Sequence, residues 1–598
     1  MRVPSRLRAR LAVAAVLLLP ALASTLAQAP SSAAALKTVT VSPDFSLVDG
    51  QQVIVRWSGF SKDGIVWIHI CEQGATNVNR CASRSQTPDR KSDVVSSYSI
   101  SNAKGSGSEV ITVVVTDANH GLAGAPDVVC DHENPCDVVV NESQANLDKS
   151  VRRTIKFAPA AACPDPGELR AAGVGTDAAE LALEEWSSTL CNKPFDIALG
   201  YTAKNDVSGR SDYQCNKVDF AVVEYLPDYE NDSCPATTPG GKDFKRPATR
   251  LAPITISPVV IGFNMRDQLT GSRIDKLVLT PELLAEIFTG KLYYGQDPRI
   301  RALNPGVNLP VNFRAIARAD QAGINYTLTR FLSTYAAKAY QAGGRLFQYG
   351  PLDSLANVNG LDLKTGGSYV AKAVLYPEND PRTTPWGFLG VMDASTAARY
   401  GLSTVTLKLQ NNGVSRLVSP DSRATLAMLQ GLKPDRYGYV ALPARPANSE
   451  AWPMVNIAYV VPPAADASAV SRAGVAAVVQ YALDEGQKSG VLPAGYVPLP
   501  EMLRASALKA IAPAMPDEVV ENTPSTGPTA APVASEAPSA IPKVDGEQGA
   551  PQAQPVTLAS VFDRAPGSTT TTWLWFLLLA AGVGAALQLV RGTKGAGQ

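Results

Sequence analysis

Histidine is scarce in this chain: three occur in 598 residues, at His69, His120 and His132. A Ser-His-Asp or Cys-His arrangement needs a histidine as its base, so the long region after residue 160 can hold neither. His69 lies in an alternating, strand-like segment, where we interpret it as a packed or surface side chain. His132 lies beside Asp131 and Glu133, in what we interpret as a solvated loop rather than a metal site. The sequence therefore predicts no enzyme, no metal and no cofactor.

An excess of charge of either sign is also absent, because 54 Lys and Arg residues balance 54 Asp and Glu residues. Proteins that bind nucleic acid usually carry a basic patch that pairs with phosphates. Only 18% of the residues are charged at all. We therefore expect no nucleic-acid partner.

The cysteines show no CxxC spacing, which disfavours metal and redox roles, and none lies near the N-terminus to carry a lipid. There are eight, and an even number in an exported chain favours disulfides. Export is indicated by the first 29 residues. Four arginines precede an apolar stretch at 11–23, and small-x-small sites follow at 21–23 and 27–29. The sequence predicts a signal peptide over 1–29, with cleavage at either site.

The longest apolar run is residues 573–590, which begin with Trp573 and Trp575 and are followed by Arg591 and Lys594. Eighteen helical residues extend ~27 Å, close to the thickness of a bilayer core. Basic residues after the span favour a cytoplasmic tail at 591–598. We expect one transmembrane helix, preceded at 514–572 by a linker rich in Pro, Ala, Ser and Thr that cannot form a core. The domains before it would lie outside the cell membrane.

Residues 37–158 alternate apolar and polar side chains in short runs separated by turn residues, which predicts a β-sandwich. The segments 47–53, LVDGQQV, and 57–60, WSGF, resemble the neocarzinostatin-type immunoglobulin-like domain. This resemblance implies two local disulfides, Cys71–Cys81 and Cys130–Cys136. Members of that family bind a small molecule in a cleft, but no residue pattern here indicates one. We interpret the domain as a surface module.

Residues 160–513 alternate strand-like and helix-like segments, which predicts an α/β fold with a mainly parallel sheet covered on both faces. Thr280 and Pro281 have the residue types of a helix N-cap and first turn. About 350 residues exceed the usual size of one core, so two lobes are expected. The remaining cysteines are assigned as Cys163–Cys191 and Cys215–Cys234, although the sequence alone does not determine this pairing.

Several motifs in this region occur in one order: 173–177 GVGTD, 218–220 VDF, 258–262 PVVIG, the block 279–306, 317–324 ARADQAGI, 482–487 ALDEGQ and 495–500 GYVPLP. In this order they resemble the phosphate-binding protein of the bacterial phosphate ABC importer, a PstS-like member of the periplasmic-binding-protein superfamily. The resemblance implies a two-lobed solute-binding domain. It also implies an oxyanion or other small-molecule ligand and an ABC permease as partner.

In that family the anion receives hydrogen bonds from hydroxyls and from N–H groups at helix N-termini, while an arginine pairs with it. Arg318 and Asp320 match the arginine and its supporting aspartate, and Gly323 matches the glycine of the next helix. Glu224 falls at the acidic position that accepts a phosphate proton. Thr176 supplies a hydroxyl in the first turn. These five residues are the predicted ligand site.

Three positions lack a hydroxyl that the family pattern has. Ala322 and Ile324 replace a serine and a threonine, and Val223 replaces the serine before the acidic residue. A one-residue shift in the first turn would bring Asp177 to the anion, where it would repel phosphate, and residues 207–211 are candidates for the second loop. Each lost hydroxyl weakens anion binding by roughly 1.5–3 kcal/mol. Phosphate, a less charged ligand, and a scaffold without ligand all remain open.

Two functions follow as hypotheses. The first is a membrane-anchored extracellular solute-binding protein of an ABC importer, with an altered ligand. The second is a cell-surface protein without a transport role, which uses the same folds for adhesion or for contacts with the cell envelope.

Overall fold

The computed structural model describes residues 36–82, 97–113, 115–117, 128–143, 146–158, 169–224, 250–375, 386–411, 413–464 and 467–514. The predicted signal peptide, transmembrane helix and cytoplasmic tail lie outside these residues, as does the linker after residue 514. Across the ranges just given, no helix combines the length and apolar character needed to span a bilayer.

The N-terminal region is a sandwich of two main antiparallel sheets, as its alternating pattern predicts. One sheet has the order β1-β2-β5 and the other β4-β3-β8-β9, with β6 and β7 forming a separate pair. Side chains that include Trp57, Ile68 and Val138 fill the space between the sheets. The strands are β1 Thr38–Ser42, β2 Gln52–Ser58, β3 Ile65–Glu72, β4 Ser97–Ile100, β5 Gly107–Thr112, β6 Thr116–Asp117, β7 Val128–Val129, β8 Cys136–Asn141 and β9 Val151–Ile155.

Two disulfides staple the sandwich, Cys71–Cys81 and Cys130–Cys136, the two pairs that the resemblance implies. Cys191 and Cys215 are also disulfide-bonded. Their predicted partners, Cys163 and Cys234, lie outside the described residues, so the pairing of these four stays a prediction.

The second region contains a nine-stranded sheet with the order β11-β10-β12-β21-β13-β17-β15-β16, in which β18 pairs with β13. A further small sheet has the order β14-β19-β20. The strands are β10 Leu169–Thr176, β11 Ile197–Lys204, β12 Phe220–Val223, β13 Ala252–Phe263, β14 Val278–Leu279, β15 Asn312–Arg318, β16 Asp362–Lys364, β17 Trp386–Asp393, β18 Ser403–Thr404, β19 Thr406–Asn411, β20 Val414–Val418 and β21 Val455–Val461.

Strand β13 divides the large sheet into two lobes. Its first part, 252–258, pairs with β21, and its second part, 259–263, pairs with β17. The first lobe comprises β10, β11, β12 and β21, and the second comprises β15, β16 and β17. Because one strand passes through both, each lobe is tied to the other by a continuous hydrogen-bonded backbone.

The prediction of a mainly parallel sheet was wrong. Four strand pairs are parallel and four are antiparallel. The antiparallel pairs all involve β13 or β21, which connect the lobes rather than alternate with helices. All twelve residues of β13 are buried, so its sequence shows a buried strand without revealing its direction.

The helices of the second region are α1 Glu180–Leu190, α2 Asp206–Gln214, α3 Pro281–Phe288, α4 Pro298–Leu303, α5 Gly323–Tyr335, α6 Ala337–Gln341, α7 Gly367–Leu375, α8 Ala394–Arg399, α9 Ser422–Met428, α10 Ala469–Leu483 and α11 Glu501–Ile511. The start of α3 confirms the prediction from Thr280 and Pro281. Thr280 accepts a hydrogen bond from the Leu283 N–H at 3.4 Å, and Pro281 occupies the first turn.

The sandwich contacts both lobes. On the side of the second lobe, Arg266 pairs with Glu109 of β5 at 2.6 Å, and Gln52 of β2 forms an isolated bridge with Tyr400. On the side of the first lobe, the Ser46 hydroxyl donates to the Gly490 carbonyl oxygen at 2.9 Å.

Candidate functional site

Four polar side chains meet where strands of both lobes end. Thr176, Arg318 and Asp393 are the last residues of β10, β15 and β17, and Glu224 directly follows β12. In α/β sheets, ligands bind outside the carboxyl ends of the strands. We call the space between the lobes at this edge the cleft.

Two helices begin at the cleft with a glycine. Gly323 is the first residue of α5 and Gly367 is the first residue of α7. The first N–H groups of a helix have no partner within the helix, and they carry partial positive charge. Such ends form ready anion sites. Here both glycine N–H groups have acceptors, and both acceptors are carboxylates of the protein.

Arg318 is the cation of the cleft, and its side chain is 1% exposed. One end of its guanidinium pairs with Asp177 in the turn after β10, and the other end makes a fork with Asp320, including a bond of 3.1 Å from Nε. Burial alone would lower the pKa of Arg318, but the charges of Asp177 and Asp320 raise it. Both ends of the arginine fork are therefore already occupied.

The Asp177 carboxylate connects the two lobes. Its Oδ1 pairs with Arg318, and its Oδ2 accepts the Gly367 N–H at 2.6 Å. An arginine and a helix N-terminus are the two kinds of donor that a bound oxyanion needs. Asp177 takes both donors with its two oxygens, as an external anion would.

A second acid, Asp206, engages the N-terminus of helix α5. It is the first residue of α2 and is 1% exposed. Its Oδ2 accepts the Gly323 N–H at 3.3 Å, and its Oδ1 accepts the Glu224 N–H at 2.8 Å. A second carboxylate of the first lobe thus caps a helix that follows a strand of the second lobe.

Glu224 fills the remaining space. Its Oε1 accepts from the Thr176 hydroxyl at 2.8 Å, and its Oε2 accepts from the Asn456 amide. Thr327 in turn donates to Asn456 at 2.7 Å. A Cβ built on Gly323 would lie 2.5 Å from the Glu224 Cγ, so only glycine fits beside this longer side chain. The extra methylene of glutamate closes the room that a shorter acid would leave.

Burial controls ionisation in the cleft. Desolvation, followed by the charge of Asp206, raises the pKa of Glu224 well above its usual range. Desolvation followed by the charge of Asp177 does the same for Asp393, despite Arg318. Desolvation also raises the pKa of Asp206. Burial therefore opposes ionisation at these positions, because several ionised carboxylates cannot easily share a dry site.

We name Asp177, Asp206, Glu224, Asp320 and Asp393 the carboxylate cluster. Among the described residues of the cleft, these acids face the guanidinium of Arg318, with Arg210 beside Asp206. Arg318 and the Gly323 and Gly367 N–H groups are all engaged by acids of the chain itself, and an added anion would also meet the charges of Asp177 and Asp320. The arrangement can hold the lobes together, and it disfavours an oxyanion.

A pH dependence follows from Glu180, the partly buried first residue of α1. Desolvation, then the charges of Glu184 and Asp177, raises the pKa of Glu180 to about 7. The folded chain then binds this proton more tightly than the unfolded chain, so the free energy of unfolding falls as pH rises from 4.5 to about 7. Replacing Glu180 by glutamine is expected to stabilise the protein by roughly 1–3 kcal/mol above that window and much less below it.

Urea denaturation of both proteins at about pH 5 and about pH 8 measures this difference. Glu501→Gln is the matched control, because Glu501 is the exposed first residue of α11. An equal effect of Glu180→Gln at both pH values would contradict the expectation.

The structure brings together all five predicted site residues, Thr176, Glu224, Arg318, Asp320 and Gly323. Their role in binding a ligand stays a prediction. Ala322 and Ile324 are buried beside them and offer no hydroxyl.

Sequence reasoning missed four residues of the cleft: Asp206, Gly367, Asp393 and Asn456. Asp206 had a signal, because it follows Asn205, whose side chain caps α2 by accepting from the Ser208 N–H at 2.8 Å. The stretch considered for the second loop, 207–211, begins one residue too late. Asn456 lies within a buried strand, and nothing in its neighbourhood along the chain marks it.

The described histidines lie in the sandwich. Burial lowers the pKa of His69, and His132 lies 3.3 Å from the Phe157 carbonyl oxygen; His120 is outside the described residues. Within the described ranges, no group of three or more His, Cys, Asp or Glu side chains is arranged so that it could hold a metal ion.

Comparison with known proteins agrees with the motif order. No protein-family model matches the chain. In sequence it is similar to phosphate-binding protein PstS 3 of Mycobacterium tuberculosis, with 25% identity over 322 residues that cover 52% of this chain and 79% of that protein. It is also similar to phosphate-binding protein PstS of Xylella fastidiosa, with 23% identity over 337 residues, 56% of this chain and 83% of that protein. These relatives are named as binding proteins rather than enzymes.

Two solved structures are also similar. The phosphate-binding protein from Stenotrophomonas maltophilia aligns over 57% of this chain and 93% of its own, with a TM-score of 0.40 and 15% identity. Macromomycin aligns over 21% of this chain and 100% of its own, with a TM-score of 0.16 and 21% identity. At the level of sequence, the α/β region resembles PstS-like phosphate-binding proteins at low identity.

Proposed function

We propose that this chain is an exported, membrane-anchored surface protein that uses a PstS-like fold as a closed scaffold and does not carry phosphate. The observation that carries the proposal is the Asp177 carboxylate, which joins Arg318 and the Gly367 N–H across the cleft. Solute-binding proteins close their lobes around a ligand that contacts both. Here a side chain of the protein makes those contacts.

Energetics support the same conclusion. To bind, phosphate would have to displace Asp177 from a buried arginine and then leave that carboxylate without a partner. An uncompensated buried charge costs several kcal/mol. The Asp206 cap on α5 adds a second contact of the same kind. A phosphate ion would gain Arg318 and the Gly367 N–H only by displacing Asp177 from them, so the exchange is unfavourable.

The predicted leader at 1–29 and the apolar segment at 573–590 support export and a single membrane anchor. The linker at 514–572 would then hold both folded regions away from the membrane. In this arrangement the protein contacts other components of the cell envelope through its outer surface, and it has no ABC permease as partner.

A second candidate is a solute-binding component of an importer, favoured by the similarity to phosphate-binding proteins of two bacteria. Its cleft would have to open and accept a ligand with little negative charge. The Asp393 Oδ1 and Asn325 Oδ1 atoms are buried without a hydrogen-bond partner in the described structure, and a neutral polar ligand would satisfy such groups.

Calorimetric titration of the full chain with phosphate tests the first proposal. We expect no measurable binding at about 1 mM phosphate, and no shift in melting temperature. A dissociation constant near 10 µM or tighter, lost in Arg318→Ala, would contradict the closed scaffold. A panel of neutral sugars and amino acids under the same conditions tests the second candidate, and heat from any of them would favour a transport role.

A further inference from the structure

A cavity of about 440 Å³ lies between the sandwich and the α/β region, away from the cleft. One wall is the loop after β1, the second is α1, and the third is formed by α8 and the turn at 493–494. We call it the interdomain cavity. Its size and position are typical of small-molecule sites, which prefer domain boundaries and volumes of roughly 300–1,000 Å³.

The inner walls are largely apolar. Phe45 and Val48 come from the sandwich, Leu181 comes from α1, and Ala398 comes from α8. These side chains would contact a hydrocarbon or aromatic group and remove it from water.

The charged groups of the cavity are mostly acidic. Asp49, Glu184 and Glu185 line it together with a single cation, Arg399. Arg399 lies 3.3 Å from Glu184, where both side chains are substantially exposed. Asp49 accepts only the Val115 N–H at 2.9 Å in the described structure. Three carboxylates against one guanidinium give a negative field, which attracts cations.

Glu185 is the carboxylate best placed for a ligand, because Arg399 is paired with its neighbour. It lies on α1, close to Ser46 of the sandwich. Desolvation raises its pKa to about 7, even though Ser46 and Arg399 lower it. The charge of Arg399 therefore does not offset the desolvation of the Glu185 carboxyl group. The ammonium group of a ligand would add positive charge beside it.

We propose that the interdomain cavity binds a small amphipathic cation, an ammonium group attached to an aryl or alkyl body. The ammonium lies beside Glu185, and the apolar body packs against Val48 and Leu181. The proposal concerns a different place from the cleft and does not depend on the closed scaffold.

Three probes of one shape test it on the full chain by saturation-transfer NMR and calorimetry: phenethylamine, 2-phenylethanol and phenylacetate. We expect phenethylamine to bind with a dissociation constant below about 1 mM, and phenylacetate to bind at least about tenfold more weakly. Equal binding of the cation and the anion would overturn the proposal, and so would the absence of phenethylamine binding at about 10 mM.

Variants locate the site. Glu185→Gln keeps the shape of the side chain and is expected to weaken phenethylamine binding about tenfold, while 2-phenylethanol binding changes little. Ala398→Phe fills the cavity and is expected to abolish binding of both. Glu282→Gln, on the exposed side of α3, is the control and should bind like the unmodified chain. If Glu185→Gln also binds like the unmodified chain, the proposal is wrong.

Discussion

Replacing Asp177 with alanine is expected to create an oxyanion site where the unmodified chain has none. The change frees one end of the Arg318 guanidinium and the Gly367 N–H, the two groups that Asp177 now occupies. Each charge-assisted hydrogen bond to an anion contributes about 1.5–3 kcal/mol. We therefore expect phosphate or sulfate to bind the variant at least about 100-fold more tightly than the unmodified chain.

Thermal unfolding in increasing phosphate measures this gain. At a concentration 100 times its dissociation constant, an anion stabilises the folded state by about 2.7 kcal/mol. Asp212→Ala is the matched control, because it removes an acid whose partners, Lys204 and Lys217, lie at the surface. If phosphate stabilises Asp177→Ala no more than it stabilises Asp212→Ala, the Asp177 side chain does not occupy an anion position.

Replacing Arg318 with alanine is expected to give the largest loss of stability among the substitutions considered. The side chain is 1% exposed, and each of its two acid partners is 11% exposed. Removing it leaves Asp177 and Asp320 without their cation in a site that also contains Asp393 and Glu224. Breaking a buried ion pair on one side costs about 3–5 kcal/mol. Urea denaturation at neutral pH measures the change.

Arg299 provides a matched control of the same chemistry at the surface. It also forms ion pairs with two acids, Glu286 and Asp297, but its side chain is 52% exposed. Exposed pairs contribute about 0–1 kcal/mol each, so Arg299→Ala should cost far less than Arg318→Ala. Similar losses for both would mean that the cleft is open to water. Asp177→Asn added to Arg318→Ala should recover part of the loss, since it removes one stranded charge.

The predicted site residues were assigned from the resemblance to PstS-like phosphate-binding proteins, whose motifs they match one by one. Residues 173–177 and 317–324 each combine the end of a strand with the start of a turn, and such segments place their polar residues at the sheet edge. The start of the α3 helix was predicted from Thr280 and Pro281, because these two neighbouring residues have the types of a helix N-cap and first turn.

The partners of those residues could not be read in this way. Asp177 pairs with a residue 141 positions away and with an N–H 190 positions away, and Asp206 bonds to Gly323 across 117 positions. No periodicity or cap connects such distant groups. The direction of β13 was missed for a related reason, because a strand buried along its whole length looks the same in either direction.

The sequence by itself predicted that this chain combines a β-sandwich with an α/β region. Its resemblance to PstS-like proteins predicted that Arg318, Asp320, Gly323, Glu224 and Thr176 belong to one site, and that hydroxyls are missing at Ala322, Ile324 and Val223. Only the tertiary structure decided which groups engage the donors that remain. Buried hydrogen-bond donors require acceptors. The fold supplies these acceptors by bringing Asp177 and Asp206 to the two helix N-termini.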